Sequence, residues 1–240
     1  MPAKTAKRPS AGAGPATAVA LIPGAGIGAR FHDDGPKALV RLAGKPFLLH
    51  ALERLARSGR VQAVVVAGTP GYEEAFRDAL ASSPLPATLV TGGVTRRESV
   101  TNAFAAADPA DGTLVLVHDA VRPLVDPAEV AAVVDAAAAH GAAIAACSMV
   151  DTVKRKKGGR IVETVSREEL VAATTPQVFE ASLFRKALAR TGGAEVTDDA
   201  ELVERAGGSV AVVLTSRWNI KITYPEDLEW AEAFLARGSG

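Results

Sequence analysis

Val19-Ala-Leu-Ile-Pro-Gly-Ala-Gly-Ile-Gly-Ala-Arg30, with Gly35-Pro-Lys37 a few residues on, reads as an apolar strand, a glycine turn and two cations. Glycines remove the side chains that would keep a phosphate away from backbone N–H groups, so a turn of this kind is suited to cradling one. Gly24-Ala-Gly26-Ile-Gly-Ala29 also fits the G-x-G-x-x-G/A pattern of dinucleotide-binding folds, which further demands an acid about 20 residues on to hold a ribose. The next clear strand, Val61 to Ala67, lies far beyond that distance and ends in Ala67-Gly68-Thr69 without an acid. The intervening chain supplies Arg30, Lys37 and Lys45, which suit a more highly charged ligand such as a triphosphate. A Walker loop is excluded, because Gly44-Lys45 is followed by Pro46. The alternative is a structural turn with two solvated cations.

Outward from this stretch, β-branched runs at Val19–Ile22, Val61–Val66, Thr88–Val90, Leu114–Val117 and Ala143–Ala146 alternate with helical patterns at Pro46–Arg57, Tyr72–Ala81, Arg96–Ala107 and Pro127–His140. That alternation predicts an α/β fold, a mostly parallel twisted sheet flanked by helices on both faces. Continuous apolar strands fit a sheet buried on both sides, whose ligand crevice lies beyond the carboxyl ends of its strands. The Gly24 loop, the Thr91-Gly92-Gly93 turn and His118-Asp119 all fall on that rim.

After Met149 the rhythm breaks. Val150-Asp-Thr-Val-Lys-Arg155, a Lys156-Lys-Gly-Gly159 turn and Arg160-Ile-Val-Glu-Thr-Val165 read as a β-hairpin, an arm over about 150–166 that needs another surface, most economically that of a second subunit. The chain then returns to the sheet near Val171–Thr174, with helices near Ala181–Arg190 and Asp199–Arg205 and strands near Val210–Leu214 and Asn219–Thr223. Pro225-Glu-Asp-Leu228 opens the last helix. A single domain over 18–236 is expected, with a flexible tail over 1–17 and a frayed end over 237–240.

The 240 residues carry 27 basic and 27 acidic side chains, so any cationic site is local; broad affinity for nucleic acid or membranes is not expected. The tail lacks the apolar run of a signal peptide. The lone cysteine, Cys147, forms no internal disulfide, is read as a core residue, and fits a cytoplasmic location.

Five further segments hold candidate chemistry. Val115-Leu-Val-His-Asp-Ala-Val-Arg-Pro123 is a buried strand that emits a carboxylate. Magnesium on a nucleotide takes one or two carboxylates and completes its octahedron with phosphate oxygens and water, so Asp119 is the candidate metal ligand, with turn capping as its alternative. His118 is read as bonded to backbone, because no partners at zinc spacing accompany it. Gly92-Gly93-Val-Thr-Arg96-Arg-Glu-Ser99 makes a tight turn into a helix, where N–H groups and the Ser99 hydroxyl could meet a base or ribose. Thr174-Thr-Pro-Gln177 and Thr197-Asp198-Asp199-Ala200 look like helix starts that N-capping explains, and Asn219-Ile-Lys221 puts Asn219 and Lys221 on one strand face.

In combination, Pro23-Gly-Ala-Gly26-x-Gly28-x-Arg30, Pro36-Lys37, Gly92-Gly93-x-x-Arg96-x-x-Ser99-Val100, Val117-His-Asp-Ala-x-Arg-Pro123, Asp151-Thr152, Thr175-Pro-Gln177, Thr197-Asp198 and Asn219-Ile-Lys221 closely resemble the 2-C-methyl-D-erythritol 4-phosphate cytidylyltransferase family, over roughly residues 19–235. The resemblance implies a Rossmann-like nucleotidyltransferase fold and transfer of the cytidylyl group of CTP to a sugar-alcohol phosphate, with Mg2+ and release of pyrophosphate. It assigns Arg30 and Lys37 to transition-state stabilisation at the α-phosphate, and Arg167 and Lys221 to holding the acceptor in line. Gly24, Ala25, Gly26, Gly28, Gly93, Arg96 and Ser99 go to the nucleotide, and Asp119, Arg122, Thr152, Thr175 and Thr197 to the acceptor. It also implies a homodimer in which the arm, with Thr152 and Arg167, serves the neighbouring site. The sequence departs from the family at Gly24, commonly alanine, and at Val94, an aspartate in some members. A ribitol 5-phosphate cytidylyltransferase is the nearest rival; an NAD-dependent oxidoreductase and a non-catalytic nucleotide-binding protein are rivals of other classes.

Overall fold

The computed structural model describes residues 14–26, 35–190 and 196–238. The chain runs β1 (Ala18–Pro23), a 3-10 turn (Lys37–Leu39), β2 (Arg41–Leu42), β3 (Lys45–Pro46), α1 (Phe47–Arg57), β4 (Val61–Gly68), α2 (Glu73–Leu80), β5 (Ala87–Thr91), α3 (Arg96–Ala107), β6 (Leu114–Val117), α4 (Pro127–His140), β7 (Ala142–Ser148), β8 (Val153–Lys157), β9 (Arg160–Val165), β10 (Val171–Glu180), α5 (Ala181–Arg190), α6 (Asp199–Arg205), β11 (Ala211–Leu214) and α7 (Pro225–Ala236). Seven strands form one sheet in the order β11-β7-β10-β6-β1-β4-β5. The expected tail lies mostly outside the described residues, as does the end of the chain after residue 238.

The apolar run of β1 sits at the centre because it has side chains to bury on both faces. Ala20 and Ile22 pack with Leu48, Leu52 and Leu55 of α1 and Val130, Val133 and Val134 of α4. Leu21 packs on the other side with Val100, Ala103 and Phe104 of α3 and Phe184 of α5. The helices end where local chemistry ends them. Asp126 accepts from the Ala128 N–H ahead of Pro127, and Gly141 closes α4 at φ 84, a conformation in which a Cβ would be strained.

β1 pairs in parallel with β4 on one side and β6 on the other. Sequential strands therefore leave β1 in one direction, through β4 and β5, and the chain returns to its opposite flank at β6. The crevice opens at such a reversal, beyond the carboxyl ends of β1 and β6.

Three sequence expectations need correcting. Thr174–Gln177 does not open a helix: it lies inside β10, which is antiparallel to both β6 and β7 with a register shift between Ala173 and Gln177. The direction follows from the connection, since β10 leaves β7 through the arm and returns beside it, without the crossover that a parallel neighbour needs. Asn219–Thr223 is not a strand. Its hydrogen bonds go to the loop after β6, with Ile222 N donating to Val121 O at 3.0 Å, while Ile222 is buried with Leu42, Phe47, Leu124 and Ala231 of α7. Asn219 and Lys221 still share a face, as expected: Asn219 Nδ2 reaches Thr175 O and Lys221 Nζ reaches Asp119 Oδ2 beside it, while Ile220 and Ile222 both pack beneath α7. Cys147 is half-buried at the end of β7, where its thiol donates to Ser216 O at 3.2 Å.

The arm is present as read. Among the described residues β8 and β9 pair only with each other, across Gly158 and Gly159, both at positive φ, as a two-residue turn with the twist of its strands requires. Its apolar Ile161 and Val162 are 66% and 56% exposed. Among the described residues no helix is long and apolar enough to cross a membrane.

Candidate active site

Three strand-end loops build a cleft of about 230 Å³ lined by Gly24, Ala25, Gly26, Lys37, Gly93, Arg96, Ser99, Asp119 and Lys221, among others. Its floor is the glycine turn after β1. Gly24 N donates to Ala67 O at 2.8 Å, and Gly26 O accepts from Lys37 N at 3.0 Å, so the turn is tied to β4 and to the lysine segment. A Cβ on Gly24 would stand 3.3 Å from Ala67 O, a tight fit for an alanine there. Gly28 and Arg30 lie outside the described residues.

The second wall is the loop between β5 and α3, whose glycines are dictated by close approach rather than by φ. A Cβ on Gly92 would fall 2.3 Å from Ala25 Cβ, and one on Gly93 2.1 Å from Glu98 Cβ. Thr95 and Glu98 form a capping box over the start of α3. Ser99 is buried, donating to Thr95 O at 3.0 Å and accepting from Gly93 N at 3.1 Å, so its hydroxyl shapes the loop from behind.

The third wall is the loop after β6, where the charges gather. Asp119 Oδ1 accepts from Arg96 Nε at 2.9 Å; its Oδ2 lies 3.1 Å from Lys221 Nζ and 3.5 Å from Arg122 Nε. Burial pushes the Asp119 carboxyl up, but Arg96, Lys221 and Arg122 outweigh it and hold the group well below the usual carboxylate range. Arg122 in turn donates to Asn219 O at 2.8 Å, and Asn219 Nδ2 to Thr175 O at 2.7 Å, which fixes the segment carrying Lys221. Lys37 Nζ donates to Thr223 O at 3.2 Å, close to the same segment.

Behind Asp119, a fully buried relay sets the turn. His118 Nε2 is 3.1 Å from Arg122 O, and a carbonyl only accepts, so Nε2 carries the proton and Nδ1 is an acceptor. Thr175 then donates to Nδ1 at 3.1 Å and accepts from Asp119 N at 3.0 Å. Burial pushes His118 down to about 4, consistent with this neutral tautomer. The histidine thus has the backbone role read from the sequence, and Thr175 supports Asp119 from the protein side.

Other expected site residues lie elsewhere. Thr152 and Arg167 are exposed and do not line their own chain's cleft. Thr197 is bonded to Glu201 Oε2 through its hydroxyl and N–H. Sequence reasoning passed over Asp199, a buried carboxylate whose Oδ2 stands 2.8 Å from Arg96 Nη1. Burial raises its pKa against the pull of Arg96. Only its place beside Asp198, the N-cap of α6, hinted that two acids stood where capping needs one.

For a divalent cation the donor set is a single carboxylate. Among the described residues no group of three or more His, Cys, Asp or Glu side chains converges. A cage made wholly of protein ligands is therefore absent from them; Asp119, whose two oxygens already face Arg96, Lys221 and Arg122, would give up one of these contacts to meet a magnesium ion that takes its other ligands from a nucleotide's phosphates and water.

A family profile described as IspD, 2-C-methyl-D-erythritol 4-phosphate cytidylyltransferase, matches residues 18–237. The chain is 43% identical over 227 residues to the 2-C-methyl-D-erythritol 4-phosphate cytidylyltransferase of Rhodopirellula baltica, covering 90% of this chain and 93% of that protein. Among solved structures, the same-named protein of Thermus thermophilus is 37% identical with a TM-score of 0.74, covering 92% of this chain and 99% of that one. The 4-diphosphocytidyl-2C-methyl-D-erythritol synthase of Anaerococcus prevotii is 28% identical with a TM-score of 0.81, covering 93% and 100%.

Proposed function

Because the chain belongs to the 2-C-methyl-D-erythritol 4-phosphate cytidylyltransferase family, we propose that its cleft transfers the cytidylyl group of CTP to 2-C-methyl-D-erythritol 4-phosphate, giving 4-diphosphocytidyl-2-C-methyl-D-erythritol and pyrophosphate. The observation that carries this reading is one glycine-walled cleft lined by the cations Lys37, Arg96 and Lys221 together with Asp119, which the more deeply buried Arg122 also holds.

In the proposed mechanism a phosphate oxygen of the acceptor attacks the α-phosphorus of CTP in line and pyrophosphate leaves. The attacking phosphate is already anionic, so no general base is needed. Catalysis is then positioning and charge neutralisation. Lys37 and Arg30 act on the α-phosphate; Lys221, with Arg167 from a second subunit's arm, holds the acceptor phosphate. The backbone of Gly24, Ala25, Gly26 and Gly93 meets the nucleotide. Asp119 would hold Mg2+, which when bound neutralises triphosphate charge. Exposed Ile161 and Val162 support a homodimer formed through the arm. The single cysteine supports a cytoplasmic enzyme.

The test is pyrophosphate release from CTP with methylerythritol phosphate and magnesium, beside ribitol 5-phosphate and ATP controls. Release with methylerythritol phosphate alone is expected; release only with ribitol phosphate, or none, refutes the reading. Lys37→Ala should lower turnover about 10²–10³-fold with folding intact, the cost of one electrostatic donor.

A further inference from the structure

We propose that Asp199 is a positioning residue for this reaction, holding the Arg96 guanidinium across the cleft wall so that Asp119 is left to its other cations. The proposal rests on the cytidylyl-transfer reading for the identity of the reaction, and on geometry for the rest.

Arg96 is the first residue of α3, and the Thr95–Glu98 capping box fixes its backbone. Its side chain bridges two carboxylates from different elements: Nε donates to Asp119 Oδ1 at 2.9 Å, and Nη1 stands 2.8 Å from Asp199 Oδ2. A planar guanidinium held on two edges has little freedom left, and donors remain of its five for an anion in the cleft that it lines. Asp199 is itself anchored. It is 1% exposed, and Gln177 Oε1 accepts from both Asp199 N at 3.1 Å and Ala200 N at 3.0 Å. Gln177 Nε2 donates to Asp198 Oδ2 at 2.8 Å, so the start of α6 is bolted to β10. A line of fixed contacts thus runs from the sheet through Asp199 and Arg96 to Asp119 and Lys221.

The charge distribution gives Asp199 its purpose. Arg96, Arg122 and Lys221 all face Asp119, and one carboxylate cannot satisfy three cations equally. With Asp199 sharing Arg96, Asp119 keeps an oxygen for Lys221. Without that second charge, Arg96 closes onto Asp119, and both Lys221 and the anion-facing donors of Arg96 shift. Misplacement of about 1 Å at such a site costs up to about 10²-fold in rate.

The experiment compares wild type with Asp199→Asn, Arg96→Gln, the double variant and Arg96→Lys, measuring kcat and KM for CTP, thermal unfolding, and the mobility of the Arg96 Nε–H by ¹H–¹⁵N NMR. Asp199→Asn should leave KM within about threefold, lower kcat about 10–10²-fold and mobilise the Arg96 Nε–H. On the Arg96→Gln background the same change should cost less than about twofold, because the two residues act as a unit. Equal cost in both backgrounds, or an unchanged Arg96 signal, overturns the proposal. Should Asp199→Asn fail to fold, Arg96→Lys decides: an ammonium keeps the charge but cannot bridge both carboxylates, and wild-type kcat in that variant overturns the proposal. If wild type releases no pyrophosphate the cytidylyl reading fails, while the NMR comparison still decides whether Asp199 holds Arg96.

Discussion

Acidification should destabilise the protein through His118 in a way that can be separated from every other titration. The imidazole is fully buried and neutral, with a pKa pushed down to about 4, whereas the unfolded chain offers an ordinary histidine near 6.5. The folded value is the lower one, so as pH falls the unfolded state takes up a proton first and stability drops between about 6.5 and 4, with no further loss below. At ~1.4 kcal/mol per unit the contribution comes to about 3 kcal/mol in all, of which about 2 kcal/mol is gone by pH 5. That is a large part of a typical folding free energy of about 5–15 kcal/mol. The main cause is burial, which disfavours the charged imidazolium, helped by the nearby charges of Arg122 and Arg96; a proton on Nδ1 would also displace the hydrogen bond that Thr175 Oγ1 donates there. His50, also lowered by burial, adds to the slope. Asp199, whose raised carboxyl lets the native state take up protons first, works in the opposite direction. Urea unfolding of wild type and His118→Gln at pH 7, 6 and 5 isolates the histidine, because the other groups cancel in the difference. The gap between the two proteins should shrink by about 2 kcal/mol over that range. Parallel curves would refute both the buried neutral tautomer and the relay built on it.

Gly93→Ala should cost about 1–3 kcal/mol in urea unfolding and raise KM for CTP, since its Cβ would fall 2.1 Å from Glu98 Cβ in the capping box; unchanged stability would show that the loop relaxes freely. Mixing Lys37→Ala with Arg167→Ala chains, after unfolding and refolding together, should recover about a quarter of wild-type turnover, because only the mixed dimer assembles one intact site. No recovery would place Arg167 in its own chain's site or outside the reaction. Chelation of divalent cations should abolish pyrophosphate release, reversibly on adding magnesium, with no loss of secondary structure by circular dichroism; persistence of turnover in chelator would exclude the metal role given to Asp119.

The layout of the fold was legible because burial leaves a periodic trace. The runs around Val19, Val61 and Leu114 are apolar on both faces, and Gly158-Gly159 between alternating strands announces a hairpin. Strand direction leaves no such trace. Val178 and Phe179 read alike in a parallel or antiparallel neighbour, so the reversal of β10 depended on where the arm delivers the chain. Asn219–Thr223 misled for a related reason: alternation signals an extended backbone, and an extended backbone can spend its hydrogen bonds on a loop, as Ile222 does on Val121.

The same division governs the site. Which loops meet at the rim follows from the rule that crevices open at strand carboxyl ends, so the Gly24, Gly93 and Asp119 segments could be assigned to one place before any coordinates. Which charges meet there depends on side-chain reach across elements far apart in sequence. From sequence, Asp119 was free to face solvent, a metal or any of several cations; it faces Arg96, Arg122 and Lys221, and the last arrives only because Ile222 is buried under α7 and Arg122 grips Asn219 O. A change beneath α7 should therefore act at the cleft without touching it. Ile222→Ala removes a fully buried side chain, at a cost of about 2–5 kcal/mol, and loosens the segment carrying Lys221.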